Sequence, residues 1–148
     1  LNSASSALAG ENLPTVGRPS SDVSGTWLAS TGSDKYAMVD EVTMDNSDYI
    51  YTNTVGAVQR MTLNAMADPG SQGQVFSYSV WSPTGHGITV RLLNRSDDSV
   101  IAEWIHPGPL STTAPATEND ATHQTLTPSQ IAAIIDRAAI DLEVEATA

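Results

Sequence analysis

Three histidines are the side chains of this sequence best suited to transfer protons or to bind a metal. His86 lies in a Pro-Thr-Gly-His-Gly turn, His106 stands before a proline, and His123 falls in a late predicted strand. No two of them have the His-x-His or His-Glu-x-x-His spacing that brings two imidazoles to one metal. A serine–histidine–aspartate triad needs no fixed spacing, but the Gly-x-Ser-x-Gly turn that exposes a serine nucleophile is missing. We therefore expect turn and surface histidines, with no catalytic residue and no metal site.

Paired carboxylates are the second group that could carry chemistry. The closest pairs are Asp45 with Asp48, Asp97 with Asp98, and Glu118 with Asp120. Calcium takes about six to eight oxygen ligands, which is more than such doublets supply, and none matches the spaced loop of an EF-hand. Two acids could also hydrolyse a glycoside, although the sequence indicates no pocket around any pair. We interpret them as solvated turn residues, and we expect no cofactor and no enzymatic activity.

Tryptophans are the third group, because flat aromatic faces can bind sugars. Trp104 alternates in register with Val100 and Ala102, which favours the core. Trp27 stands at the entrance to the folded region, and Trp81 ends a strand beside a proline. If Trp27 and Trp81 both faced outward, they would form a glycan platform. Core packing is the competing interpretation, since only 5% of the residues are aromatic.

The charge balance excludes several classes of partner. The 148 residues include 17 acidic and 6 basic side chains, which gives a net charge of −11. Phosphate binding requires clustered lysine and arginine, so neither nucleic acid nor an anionic membrane surface is an expected partner. No apolar run approaches the roughly 20 residues of a membrane span. The chain has no cysteine, so packing must hold the fold without disulfides.

Three consecutive segments alternate apolar and polar residues with the two-residue period of half-buried strands. They read VFSYSVW at 75–81, ITVRLLN at 88–94 and SVIAEWI at 99–105. The last two are expected to form an antiparallel hairpin with an exposed polar tip at 94–98. The side chains predicted for its core are Val90, Leu92, Val100 and Trp104.

Further strands and one helix are predicted from the same kind of pattern. The strands are expected at 35–42, 49–52, 57–63, 122–126 and 140–146. In the last of these, Asp141, Glu143 and Glu145 would form an acidic solvent face. A helix is expected from Thr127, because a capping threonine, a proline at the first helical position and Gln130 together form a capping box. Its apolar stripe would be Ile131, Ile134, Ile135 and Ala138.

The first 25 residues differ from the rest in composition. They are mostly small or polar, and prolines interrupt any period, so they cannot bury enough apolar area to fold alone. They form either a floppy terminus or an extended arm that orders against a neighbouring subunit through Leu8, Leu13 and Val16. Residues 26–148 would then form one all-β domain, an antiparallel β-sandwich of jelly-roll type with one short helix near its end.

Three strings resemble structural proteins of tailed bacteriophages and related prophages. Residues 18–52, RPSSDVSGTWLASTGSDKYAMVDEVTMDNSDYIYT, resemble the pattern RPDADVSxGxWTxSTGxxLYAxIDExxxDDxDYI. ITVRLLNRSDDSVIAEWIH at 88–106 resembles the family hairpin VxLLxGxxxIASWxH, and QTLTPSQIAAIIDRAAIDLEVEATA at 124–148 resembles its closing segment. The match departs at 137–140, where the family tends to carry a tyrosine.

The resemblance implies a virion structural protein on a jelly-roll-like sandwich, and it carries over no catalytic residue. A capsid decoration (cement) protein is the leading hypothesis. Such a protein would lie on the outer capsid surface, bridge and stabilise major capsid subunits, and form a homo-oligomer, expected to be a trimer. The alternative is a carbohydrate- or receptor-binding module of a tail fibre or surface spike, which would use Trp27 or Trp81.

Overall fold

The computed structural model describes residues 2–3, 16–41, 43, 45–70, 73–117 and 121–148. Leu8 and Leu13 of the predicted arm lie outside these residues. The strands are Asn2–Ser3 (β1), Pro19–Gly25 (β2), Leu28–Ala29 (β3), Ile50–Tyr51 (β4), Val58–Leu63 (β5), Gln74–Tyr78 (β6), Gly87–Asn94 (β7), Val100–His106 (β8), Thr122–Thr125 (β9) and Ile140–Thr147 (β10). The α-helix is Pro128–Ala132 (α1), and a 3₁₀ helix covers Tyr36–Met38.

The fold is mostly β and antiparallel, as the period-two alternation predicts. Its main sheet has five strands in the order β2-β5-β10-β7-β8. Two small sheets accompany it, one formed by β1, β6 and β9 and the other by β3 and β4. β10 lies at the centre of the main sheet, where Leu142 pairs with Met61 on one side and Leu92 on the other.

The inner face of the main sheet, which carries Met61, Val90 and Leu142, forms the hydrophobic core with the small sheets. Phe76 of β6 belongs to this core and stacks on Trp104 of β8, with ring centroids 5.4 Å apart. Stacked aromatic pairs add roughly 0.5–1.5 kcal/mol beyond their buried area. The small sheet containing β6 is thus joined to the edge of the main sheet. No described helix is long and apolar enough to cross a membrane.

The predicted hairpin is present as β7 and β8, but one of its core predictions is wrong. Leu92 pairs with Ala102, whereas Leu93 pairs with Val100, so Ile101 is an extra residue in a bulge. A bulge shifts the alternation of side chains by one residue. Ile101 is therefore buried, while Val100 is 52% exposed. Val90 and Leu92 are buried as predicted, and Trp104 packs against the core.

The capping box at Thr127 is confirmed. The Thr127 hydroxyl accepts from the backbone N–H of Gln130, whose side chain accepts in return from the backbone N–H of Thr127. The helix ends at Ala132, so the predicted apolar stripe is only partly formed. Ile131 and Ile134 pack against the core, whereas Ile135 and Ala138 are exposed.

The strand predicted at 35–42 is not formed within its described residues, 35–41. The backbone N–H groups of Lys35 and Tyr36 both donate to the carboxylate of Asp22, at 2.8 and 3.0 Å. This contact begins the 3₁₀ helix at Tyr36–Met38. Tyr36 and Val39 both pack against the core, and this three-residue spacing is the repeat of a 3₁₀ helix rather than of a strand.

Part of the predicted N-terminal arm belongs to the sheet. Pro19–Gly25 pairs with β5 as an edge strand. Arg18 donates its backbone N–H to the side chain of Asn64, and Asn64 donates its own N–H to the carbonyl of Arg18. The apolar content of residues 1–25 is too low to predict a folded segment. Backbone and side-chain hydrogen bonds hold residues 18–25 to β5 and Asn64 instead, and composition does not reveal such bonds. The predicted boundary at residue 25 therefore falls at the end of a strand of the main sheet, so residues 19–25 belong to the sheet and not to a separate arm.

Candidate functional site

A cavity of about 850 Å³ lies against the inner face of the main sheet. Apolar side chains of its three central strands line one wall: Met61 on β5, Val90 on β7, and Leu142 and Val144 on β10. Phe76, Tyr78 and Ile50 from the small sheets contribute further to the lining. Ligand sites in proteins typically have volumes of about 300–1,000 Å³ and mostly apolar walls. The cavity therefore has the size and surface of a small-molecule site.

Both tryptophans of the predicted glycan platform line this cavity, but they do not form an outward-facing pair. Trp27 is 8% exposed, and its Nε1 donates to the carbonyl oxygen of Ala57 at 3.0 Å. With its N–H bonded and its ring in the core, Trp27 offers no open face to a sugar. Trp81 is half-buried and meets the ring of Tyr49 edge-on, at a centroid distance of 5.6 Å. Tyr51 contacts the same Tyr49 ring at 5.9 Å.

Three carboxylates, those of Glu41, Asp45 and Asp48, also line the cavity. Burial raises the pKa of Glu41, and the charges of Asp40, Asp48 and Asp45 raise it further, although a backbone hydrogen bond opposes them. Asp45 accepts from the hydroxyl and the N–H of Ser47 at 2.7 and 2.8 Å, and these bonds lower its pKa. The turn that these bonds form is the one predicted at 45–48. These three acids give part of the cavity lining a negative charge.

The three histidines have different surroundings. His106 is half-buried, and its Nε2 lies 2.6 Å from the phenol oxygen of Tyr78. Burial lowers the pKa of His106 and raises the pKa of Tyr78 to about 12. His123 is exposed, with Nδ1 2.7 Å from the hydroxyl of Ser77, and His86 is exposed in its predicted turn. Within the described residues, no three His, Asp or Glu side chains are placed to hold a metal ion.

The outer face of the main sheet, which carries Arg60, Arg91 and Asp141, is covered by ion pairs. Arg91 on β7 bonds Glu103 on β8 at 2.6 Å, and it bonds Glu143 and Glu145 on β10 at 3.0 and 2.9 Å. These carboxylates raise the pKa of Arg91 above its ordinary value, against the opposing effect of burial. One guanidinium thus links three neighbouring strands.

A second cluster on this face surrounds Asp141, whose side chain is 1% exposed. Its two oxygens accept from Nε of Arg60 at 2.8 Å and from Nε of Arg95 at 2.7 Å. The prediction of an acidic solvent face is therefore wrong for Asp141, whereas Glu143 and Glu145 lie on the outer face and are partly exposed. β10 is central rather than peripheral, and arginines from its neighbours cover its acidic residues.

Exposed apolar side chains lie on both edge strands of the main sheet. Val23 on β2 is 50% exposed, and Ile105 on β8 is 65% exposed, with Val100 on the same strand. An edge strand also presents backbone groups that can pair with another chain. These edges are therefore candidate surfaces for binding a neighbouring protein.

The sequence analysis considered Trp27, Trp81 and the Asp45–Asp48 pair, whereas the site roles of Tyr49 and Glu41 were missed. The cavity and the arginine clusters were not predicted, since both depend on which strands become neighbours. The sequence did contain a signal for these clusters. Arg60 and Arg91 lie in predicted strands, and the last predicted strand carries an acidic residue at every second position. Among the predicted arm contacts, Val16 lines the cavity, whereas Leu8 and Leu13 lie outside the described residues.

In comparisons with known proteins, no protein-family model, curated protein or solved structure matches this chain.

Proposed function

We propose that this chain is a structural protein of a tailed-bacteriophage virion, of the capsid decoration type. The observation that carries the proposal is the presence of exposed apolar residues on both edge strands of the main sheet. Of the seven exposed large apolar side chains in the described part of the chain, Val23, Val100 and Ile105 lie on these strands, whereas ion pairs cover the outer face of the sheet between them. Edge strands with unpaired backbone groups can pair with other chains. A protein that bridges capsid subunits would bury them against its neighbours.

The decoration protein would lie on the outer capsid surface and stabilise contacts between major capsid subunits. We further propose that it forms a homo-oligomer, with a trimer as the expected state, and that its sheets are arranged as a jelly-roll-like sandwich. The resemblance of residues 18–52, 88–106 and 124–148 to phage structural proteins supports the capsid role and the jelly-roll-like arrangement. The net charge of −11 supports the location on the outer capsid surface, because an acidic protein is repelled by packaged DNA.

An arm contact through Leu8, Leu13 and Val16 belongs to the same proposal. Backbone pairing at Asn2↔Val75 and Ser3↔Gln74 supports it, because β6 accepts an N-terminal segment as an added strand. Strand addition is a recurrent way for an extended segment to bind a folded domain, since backbone hydrogen bonds supply the affinity. In an assembled capsid, the first residues would add to an edge in this manner.

The direct test is the copy number and location of the chain in purified virions. Quantitative mass spectrometry should find it in proportion to the major capsid protein, and cryo-electron microscopy should place it on the shell. A receptor-binding module would instead be scarce, located on the tail and selective on a glycan array. Finding it at a few copies on the tail would overturn the decoration proposal.

The surface contact can be tested with matched variants. Ile105→Ser on β8 should reduce binding to capsids that lack the protein, because it removes an exposed apolar group from the edge. Ile135→Ser is the control, since Ile135 is similarly exposed, at 62%, but lies beyond the short helix rather than on a strand. Equal binding by both variants would show that the β8 edge is not the contact.

A further inference from the structure

The cavity combines apolar side chains, aromatic rings and three acidic residues in its lining. We propose that it binds an organic ammonium compound, with the cationic head at Glu41 and Asp48 and an apolar body against the half-buried apolar side chains of the lining. This inference is independent of the proposed capsid role. It rests on the cavity, on the charges that line it and on the rings beside those charges.

The lining charges favour a cation. Glu41, Asp45 and Asp48 line the cavity together with one guanidinium, that of Arg18, among the described residues. None of the ion pairs in the described part of the chain involves these three carboxylates. The pKa of Glu41 is raised by partial desolvation and by the charges of its acidic neighbours, against a backbone hydrogen bond that lowers it. A bound cation would relieve that repulsion, and the net charge of −11 would attract it.

The carboxylates are not arranged for a metal ion. Divalent metals require several ligands converging at about 2.0–2.6 Å, and no such group of three occurs in the residues that the structure describes. A charge spread over an alkylated ammonium group needs no such convergence. It can interact with carboxylates several ångströms apart and still contact apolar carbon.

Aromatic rings supply the second element of recognition. Tyr49, Tyr51 and Trp81 all line the cavity, and Tyr49 contacts both of the other rings. Ring faces attract cations, and quaternary ammonium groups are commonly bound this way. Because Asp48 precedes Tyr49 directly, a carboxylate and a ring cluster belong to the same turn and strand. Beyond them, the half-buried side chains of Ile50, Val80 and Leu110 offer an apolar surface to the body of the ligand.

The test uses decyltrimethylammonium as the probe, below its micelle concentration, with the full chain. Isothermal titration calorimetry would compare it with decanol and with decyl sulfate, which have the same apolar body but no charge or a negative charge. We expect the cation to bind at least about tenfold more tightly than decanol, and decyl sulfate to bind weakest. No saturable cation binding, equal affinity for cation and alcohol, or tighter binding of decyl sulfate would each overturn the proposal.

Two variants separate the charge from the rings. Asp48→Asn should weaken binding of the cation by about fivefold, with decanol unaffected. Trp81→Leu keeps an apolar wall but removes the ring. It should therefore lower the affinity for the cation by about threefold or more and leave the affinity for decanol nearly unchanged. Asp34→Asn is the matched control, because Asp34 is an exposed acid outside the cavity lining. Wild-type cation affinity in both test variants would locate binding elsewhere and overturn the assignment.

Discussion

Asp141 on β10 and Arg60 on β5 form a buried ion pair across the centre of the main sheet, with Nε and Oδ2 2.8 Å apart. Arg95 bonds the other oxygen of the same carboxylate. We predict that Asp141→Asn lowers the free energy of unfolding by about 3 kcal/mol, because two guanidinium groups lose their buried counter-charge. Urea unfolding of the purified variant measures this loss.

The matched control for that substitution is Asp98→Asn. Asp98 bonds the same Arg60, at 2.6 Å, but its side chain is 69% exposed. Exposed ion pairs contribute about 0–1 kcal/mol, so this variant should remain close to wild type. If the two variants lose similar stability, the burial of Asp141 is not what makes its ion pairs more stabilising than the exposed pair of Asp98 with Arg60.

The bulge in β8 predicts opposite sensitivities for two adjacent residues. Ile101→Ala should lower the free energy of unfolding by about 2–4 kcal/mol, since Ile101 is 4% exposed and its truncation leaves a cavity. Val100→Ala should change it by less than about 1 kcal/mol, because Val100 already contacts solvent. Thermal or urea unfolding compares the two. A larger loss at Val100 would mean that the strand has no bulge at this point.

Stability should fall as the pH decreases from about 7.5 to 5, and His106 should contribute to that fall. Burial lowers the pKa of His106 below its ordinary value of 6.5. The unfolded chain therefore binds a proton at a higher pH than the folded chain does. The contribution is fully present above pH 6.5 and is lost as the pH falls through the lowered pKa of the folded state.

The pH dependence is measured from urea unfolding at several pH values. His106→Gln should flatten the slope in this range, because it removes the titrating group. His86→Gln should retain the wild-type slope, since His86 is exposed in a turn. An unchanged slope in His106→Gln would assign the pH dependence to other groups.

Two N-terminal deletions should differ sharply in their effect on the free energy of unfolding. Deleting residues 1–15 removes the two-residue pairing of β1 with β6 but leaves the contacts of Arg18 and β2, so it should change the free energy of unfolding by less than about 1 kcal/mol. Deleting residues 1–25 also removes β2 and the carboxylate of Asp22, which accepts from Lys35 and Tyr36. That loss should be at least about 2 kcal/mol. Circular dichroism during urea unfolding distinguishes them, and equal stability would mean that β2 contributes nothing to the sheet.

Local patterns predicted those parts of the fold that local interactions determine. The β7–β8 hairpin follows from alternation and a short polar tip, and the helix start follows from Thr127 and Gln130, only three residues apart. The 3₁₀ helix at Tyr36–Met38 was missed because its deciding contact comes from Asp22, on a different strand. Alternating residues in 35–42 fit a strand equally well until that contact is known.

The candidate site was less predictable than the fold. Trp27 and Trp81 were identified as residues of interest, but their exposure depends on the surrounding strands and loops. The burial of Asp141 likewise depends on the position of β10 between β5 and β7. An acidic residue in a strand is usually exposed, and only the strand order reveals that two arginines cover this one.

The central position of β10 has a consequence for how the chain folds. Residues 140–147 pair with β5 on one side and with β7 on the other, so the pairs β2–β5 and β7–β8 cannot join until this late segment is present. Pairing between segments distant in sequence slows folding, because a long loop must close first. During synthesis, β5 and β7 would each keep one unpaired edge. The main sheet could form completely only after residues 140–147 have emerged from the ribosome.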